Sequence, residues 1–202
     1  CFVFLYTRIA GPAAGQGMSV LGYLASVFAE VNWFAWLALM IPYSIAFFLI
    51  DSMVVWRIIN WFNTKIAYKE ILPVRASAYI ISILNEQVGK GAMALYLNRR
   101  DGVPAWQVGS SMLFIMVCEL LYLTIWANIG LLLQWDTLPP VFRALPWVGL
   151  GIFVAFALFY LYFRGHILPN NKFRDGQLLK AFKEATLSQY LVIIVLRSPA
   201  LL

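Results

Sequence analysis

Residues 76–98 read ASAYIISILNEQVGKGAMALYLN, and the way this stretch enters a bilayer decides the fold. The stretch is long enough to cross a membrane, since a helical span needs about 20 predominantly apolar residues. Its middle, residues 85–91, nevertheless carries amide, acidic, basic and glycine residues. Two paths are therefore open, a full crossing or a hairpin that enters the membrane and returns to the same side.

The rest of the chain has the composition of an integral membrane protein. Of its 202 residues, 62% are hydrophobic and 12% are charged, against about 45–50% apolar and about 25% charged in soluble domains. Long apolar runs separated by polar residues cover 18–28, 33–56, 104–133 and 144–163. We therefore predict an all-α, polytopic transmembrane protein that forms a single membrane domain over residues 1–202. Because the chain begins at a cysteine and stops within an apolar stretch, we interpret it as a fragment of a longer protein.

The positive charges favour the hairpin path. A hairpin at about 76–98 places eleven cations on one side of the membrane and leaves Arg143 on the other, whereas a crossing would divide them. Because cytoplasmic loops are enriched in lysine and arginine, the undivided arrangement is favoured. The eleven are Arg57, Lys65, Lys69, Arg75, Arg99, Arg100, Arg164, Lys172, Arg174, Lys180 and Lys183.

The length of each half of the stretch agrees with a re-entrant hairpin. At 1.5 Å per residue, residues 76–86 form a helix of about 16 Å and residues 91–98 one of about 12 Å, each about half of the roughly 30 Å hydrocarbon core. The polar residues 85–91 are then predicted to form a non-helical turn near the membrane midplane. The net charge of +6 lies in short segments between apolar runs, which favours anionic lipids as partners and argues against nucleic acid.

One acidic residue lies at the centre of a predicted span. Glu119 falls in the middle of the run 104–133, where an unpaired carboxylate costs about 2.5–3.5 kcal/mol. The midplane turn offers Lys90 and Asn85 as partners, and Gly89 and Gly91 permit the close approach of a phosphate to the start of a helix. A buried structural pair and a simple tight reversal are the alternative interpretations. We predict a substrate path formed by Asn85, Gly89, Lys90, Gly91 and Glu119, with Arg75, Arg99 and Arg100 at its mouth.

The remaining polar residues give no catalytic pattern. His166 is the only histidine, and Cys1 and Cys118 have no partner at metal or redox spacing. We therefore expect no metal and no cofactor, and we leave enzymatic activity open. Asp51 lies about 9 Å of helical rise before Arg57, so we expect it to reach the basic interface.

Residues 75–121, RASAYIISILNEQVGKGAMALYLNRRDGVPAWQVGSSMLFIMVCELL, resemble the membrane region of the lysylphosphatidylglycerol synthase and flippase-like family. The resemblance rests on the ordered residues Arg75, Asn85, Gly89, Gly91, Arg99, Arg100, Gly102, Val103 and Glu119, and the chain departs from the family pattern at Val88 and Ala92. It implies a membrane protein that moves a lipid or a lipid-linked headgroup between leaflets. The family also includes members with a fused aminoacyl-transfer domain.

Three functional hypotheses follow from these patterns. The first is a flippase that moves an anionic phospholipid between the leaflets of the bacterial inner membrane. The second is a secondary transporter of a small solute, which would use the same half-helices. The third is a non-catalytic membrane subunit that scaffolds a larger complex. A homo-oligomer or a partner membrane protein is compatible with all three.

Overall fold

The computed structural model describes residues 2–84, 86–136, 139–165 and 176–201. Nine α-helices lie within these ranges, which confirms the predicted all-α class. In chain order they are α1 (Phe2–Gly15), α2 (Val20–Glu30), α3 (Trp33–Phe62), α4 (Tyr68–Leu84), α5 (Glu86–Asp101), α6 (Ala105–Leu133), α7 (Leu145–Phe163), α8 (Lys180–Glu184) and α9 (Leu187–Arg197).

Three of the described helical segments are long and apolar enough to cross a bilayer: Trp33–Phe62, Ala105–Leu133 and Phe142–Phe163. Their lengths and compositions make this an integral membrane protein. More than half of the most apolar window of α6 is buried within the protein, whereas almost all of the corresponding windows of the other two segments are exposed. α6 therefore packs more of its surface against protein than the other two segments, whose most apolar windows present surface suited to lipid.

Residues 1–46 form the first of two compact units. It contains α1, α2 and the first part of α3. Ser19 precedes α2, and its hydroxyl oxygen accepts a hydrogen bond from the Gly22 amide at 3.1 Å, which caps the helix. The reversal between α2 and α3 is closed by stacking of the Phe28 and Trp33 rings, whose centroids are 5.7 Å apart.

Residues 47–202 form the second unit, whose core is built around α6. Phe114 of α6 is completely buried, and its ring contacts Phe62, Phe182 and Tyr190 at centroid distances of 5.2, 6.0 and 4.5 Å. Each contact brings a different helix, α3, α8 or α9, onto α6. Aromatic pairs at such separations contribute packing beyond the area that they bury.

α4 and α5 form a helical hairpin that is longer than predicted. The hairpin was expected at about 76–98, with residues 85–91 as a non-helical turn, but α4 begins at Tyr68 and α5 runs from Glu86 to Asp101. The prediction of a long turn was wrong, because residues 86–91 continue the helix. The glycine at 89 serves packing, since a Cβ there would lie 2.7 Å from the carbonyl oxygen of Ala78 on α4. Asn85 lies outside the described residues.

The two ends of this hairpin lie together. Glu70 near the start of α4 pairs with Arg100 near the end of α5 at 2.7 Å. At the same time, the Ser111 hydroxyl near the start of α6 donates a hydrogen bond to Asn63, which directly follows α3, at 2.6 Å. The chain therefore leaves α3, passes through the hairpin and starts α6 close to the end of α3.

Residues after 175 dock on the start of α6. This part of the chain is a short 3-10 turn (Gln177–Leu179) followed by α8, and residues 166–175 lie outside the described ranges. The Ala181 amide donates to the buried Ser110 hydroxyl at 2.9 Å, and the Lys180 ammonium donates to Gln107 at 3.1 Å. α9 then begins with a capping box formed by Thr186 and Gln189, which satisfies two of its free amide groups.

Candidate functional site

Four charged side chains from four helices form one continuous chain of ion pairs. Arg75 on α4 donates from Nε to Asp51 on α3 at 2.7 Å. Arg197 on α9 donates from one terminal nitrogen to the other oxygen of Asp51 at 2.6 Å. Its second terminal nitrogen donates to Glu119 on α6. We call the set Arg75, Asp51, Arg197 and Glu119 the ion-pair chain; its formal charges sum to zero.

The ion-pair chain lies deep along the candidate spans. Asp51 is about 16 Å of helical rise from the end of α3, and Glu119 is about 21 Å from the start of α6. These two helix ends are held together by the Asn63–Ser111 hydrogen bond. Both carboxylates therefore lie well inside helices whose length and composition suit a membrane span, away from the joined helix ends.

The four side chains of the ion-pair chain differ in solvent exposure, and Glu119 is the most exposed. The side chains of Asp51, Arg197 and Arg75 are 5%, 10% and 15% exposed, but that of Glu119 is 34% exposed. Within the described part of the chain, Nε of Arg197 is buried and has no hydrogen-bond partner. Asp51, Tyr122 and Arg197 border a cavity of about 10 Å³, which has the volume of about one water molecule.

Local sequence explains how α3 and α4 present their charges. Asp51 lies on the same face of α3 as the buried Val54, Val55 and Ile58, because residues three, four and seven positions apart share a helix face. The guanidinium of Arg75 lies 4.7 Å from the ring centroid of Tyr79, four residues later on α4. This cation–π contact favours a guanidinium directed toward α3.

The predicted polar site is only partly assembled. Arg75 and Glu119 both belong to the ion-pair chain, but Glu119 pairs with Arg197, whereas Lys90 was expected as its partner. The Lys90 side chain and Asn85 lie outside the described residues. Asp51 was expected near Arg57 at the basic interface; instead it is buried beside Arg75 and Arg197, and Arg57 is exposed over the Trp56 ring at 5.3 Å.

The other predicted residues occupy the ends and the flanks of the hairpin. Arg99 and Arg100 lie exposed in the last turn of α5, and Arg100 pairs with Glu70. Hydrogen bonding from Arg100, followed by the Ala67 amide, lowers the pKa of Glu70 below its usual range. Gly89 packs against α4, whereas a Cβ on Gly91 would meet nothing within 4 Å.

Sequence reasoning missed Arg197 and the central position of Asp51. Arg197 lies inside the last apolar stretch of the chain, and a charged residue in such a stretch faces the protein interior and pairs with an opposite charge. Asp51, Glu119 and Arg197 are each isolated charges in apolar segments. The sequence could therefore have indicated that these isolated charges pair with one another.

The arginines of the ion-pair chain have donor groups suited to anion binding. Both arginines present planar donor groups that match a carboxylate or a phosphate. Glu119 is the most exposed carboxylate of the set, so it is the one that solvent or a ligand reaches first. Among the described residues, no group of three or more His, Cys, Asp or Glu side chains is placed to hold a metal ion. Comparison with protein-family models, curated proteins and solved structures finds no match to this chain.

Proposed function

We propose that the protein moves an anionic phospholipid, or a lipid-linked headgroup, between the leaflets of the bacterial inner membrane. The single observation that supports the proposal is the ion-pair chain, which joins four charged side chains within the apolar helices and has Glu119 as its most exposed member. Such a set of polar groups can bind a charged headgroup, which the surrounding hydrocarbon does not stabilise.

A purely structural role explains the ion-pair chain less well. Taking charges out of water is costly, and replacing a buried ion pair by well-packed apolar residues is often neutral or stabilising. Ionisable residues inside membrane segments are therefore functional candidates by default. A phosphodiester carries the same charge as Glu119, so it can take the place of this carboxylate on Arg197 without leaving the arginine unpaired.

The path of the hairpin supports the same proposal. Because Glu70 and Arg100 join its two ends, we infer that α4 and α5 enter the membrane and return to the cytoplasmic side as a re-entrant hairpin. Arg99 and Arg100 then lie at that surface, where basic residues attract anionic lipids. The resemblance of residues 75–121 to the lysylphosphatidylglycerol synthase and flippase-like family points to the same class of transport.

A proteoliposome assay tests the proposal. Purified protein is reconstituted with phosphatidylglycerol that carries a fluorescent headgroup or chain label, and dithionite is added outside. Without transport, the label in the inner leaflet stays protected; with transport, it becomes exposed and is reduced. We expect Glu119→Gln and Arg197→Gln to lower this exchange strongly, because each breaks the ion-pair chain. Lys90→Met and Asn85→Ala test the two predicted residues that the described side chains do not include.

The matched control is Glu184→Gln, which makes the same chemical change at an exposed position on α8. It is expected to leave lipid exchange at the wild-type rate. Unchanged exchange in Glu119→Gln would refute the proposal. If exchange is absent from the wild-type protein and a radiolabelled solute accumulates instead, the secondary-transporter hypothesis replaces it. Stable co-purification with a large complex, together with tolerance of Glu119→Gln, would favour the scaffold hypothesis.

A further inference from the structure

A groove of about 410 Å³ runs along the α4–α5 hairpin, away from the ion-pair chain. Its length along α4, from Glu70 to Ile81, is about 16 Å. Its volume falls within the range of about 300–1,000 Å³ found for small-molecule sites. The walls are formed mainly by Pro73, Val74, Ser77, Ala78, Ile81 and Ala92.

The groove and the ion-pair chain lie on different faces of α4. Val74, Ala78 and Ile81 line the groove, while Arg75 and Tyr79 face α3, where Arg75 meets Asp51 and Tyr79 meets Phe48. With 3.6 residues per turn, the two sets are about a third of a turn apart around the helix axis. α4 is therefore a shared wall between an open apolar groove and a buried polar site.

The groove is charged at one end and apolar along the rest of its length. Glu70 and Tyr96 lie at the open end of the hairpin, where Arg100 contacts both of them. Further along, Ser77 is the only polar side chain among the described residues of the wall, and its hydroxyl already donates to the Pro73 carbonyl at 2.9 Å. This distribution matches a molecule with one charged end and one hydrocarbon end.

We infer that the groove binds one phospholipid, with an acyl chain against Val74, Ala78 and Ile81 and the phosphate at Arg99 and Arg100. Its length of about 16 Å is about half of the roughly 30 Å hydrocarbon core, which is the depth of one leaflet. The charged end carries the cations Lys69, Arg99 and Arg100 against the carboxylates of Glu70 and Asp101, so an anionic headgroup is favoured there. The groove is the lateral access for the lipid, and in this respect the inference rests on the proposed function.

Photolabelling in a bilayer tests the groove directly. The full chain is reconstituted in vesicles that contain phosphatidylglycerol with a diazirine on one acyl chain, and the labelled peptides are mapped by mass spectrometry. We expect label on residues 73–81 and 92–96. Ser77→Trp fills the groove from an exposed position, and it is expected to lower this labelling at least about tenfold, as loss of a bound ligand requires.

Two controls separate the groove from general contact with lipid. Ile80 is 69% exposed on α4 but does not line the groove, so Ile80→Trp is expected to keep the wild-type labelling. A diacylglycerol probe with the same chains and no phosphate tests the headgroup. It is expected to label the wild-type groove less than phosphatidylglycerol does, and Arg99→Gln combined with Arg100→Gln is expected to remove the difference.

The inference is overturned if Ser77→Trp labels like the wild type, or if both tryptophan variants lose label equally. Equal labelling by the two probes in the wild-type protein overturns the phosphate assignment. Labelling measures occupancy and needs no transport. Labelling of the groove in a protein that exchanges no lipid would therefore refute the proposed function but support the lipid-binding groove. Lipid exchange without labelling of the groove would refute the groove but support the proposed function.

Discussion

The guanidinium of Arg197 lies 2.6 Å from the carboxylate of Asp51, 146 residues earlier in the chain. The same guanidinium also donates to Glu119 on α6. One side chain thus connects α3, α6 and α9 inside apolar helices, where an unpaired charge is costly. This relationship makes Arg197 the residue whose loss has the widest consequences.

Arg197→Met is expected to destabilise the protein strongly. The change leaves Glu119 without its partner and Asp51 with Arg75 alone, and breaking a buried pair by removing one partner costs about 3–5 kcal/mol. The measurement is the free energy of unfolding in mixed detergent micelles. Arg143→Met, at an exposed position, serves as control and is expected to unfold like the wild type.

The double variant Glu119→Leu with Arg197→Met is expected to be more stable than Arg197→Met alone. Removing both partners leaves no uncompensated charge at that point, whereas removing one does. If the double variant is less stable than the wild type by the sum of the two single-variant losses, Arg197 and Glu119 are not coupled and the ion-pair chain is wrong at this link.

Gly89→Ala is expected to loosen the α4–α5 hairpin. The added Cβ would lie 1.9 Å from the Ser82 hydroxyl oxygen and 2.7 Å from the Ala78 carbonyl oxygen, and overpacking of this kind typically costs about 1–3 kcal/mol. Thermal unfolding in detergent measures the loss. Adding Ser82→Ala is expected to recover only part of it, since the clash with the backbone carbonyl remains.

Gly91→Ala is the matched control, because a Cβ there meets nothing within 4 Å. Alanine in a helix is favoured over glycine by about 0.5–1 kcal/mol, so this variant is expected to be at least as stable as the wild type. Equal losses for the two variants would mean that residue 89 does not approach α4.

Single cysteines at Thr64, Asp101 and Asp136 are expected to reveal the path of the hairpin. Residues 64 and 101 should react with an impermeant thiol reagent from the same side of the membrane, and residue 136 from the opposite side, because α6 crosses between them. The background protein has Cys1 replaced by serine and keeps Cys118, which is fully buried. Labelling of residues 64 and 101 from opposite sides would rule out a re-entrant hairpin.

The Glu70–Arg100 pair is expected to stabilise the open end of the hairpin in a pH-dependent way. Its hydrogen bonds lower the pKa of Glu70 below the ordinary value of 4.5. A carboxylate with a lowered pKa stabilises the folded state fully above its unfolded pKa, and this contribution disappears as the pH falls through the lowered value. The difference in melting temperature between wild type and Glu70→Gln should therefore be constant well above pH 4.5, shrink as the pH falls below 4.5, and vanish only below the lowered pKa of Glu70 in the folded protein.

High salt provides an independent check on this pair. Both side chains are partly exposed, so 0.5 M salt is expected to reduce the same difference in melting temperature at neutral pH. A difference that persists at low pH and in high salt would mean that Glu70→Gln acts through packing rather than through charge.

The sequence was sufficient for the class of the protein and for the boundaries of two of its long helices. Apolar runs at 104–133 and 144–163 predicted α6 and α7 to within a residue or two, because a membrane span leaves a long uninterrupted apolar signal. The helices of the α4–α5 hairpin were harder to predict from the sequence. Its glycines and polar residues resemble a turn, and only the packing of Gly89 against Ala78 explains why the helix continues through them.

Taken alone, the sequence determined that this chain is a helical membrane protein with isolated charges in apolar segments, because composition and hydropathy act locally and can be read residue by residue. Which charges meet was decided by the tertiary structure. Asp51, Arg75, Glu119 and Arg197 come from four helices far apart in the chain. Their pairing depends on how helices without a hydrophobic driving force between them pack in a bilayer, and no spacing along the sequence encodes that packing.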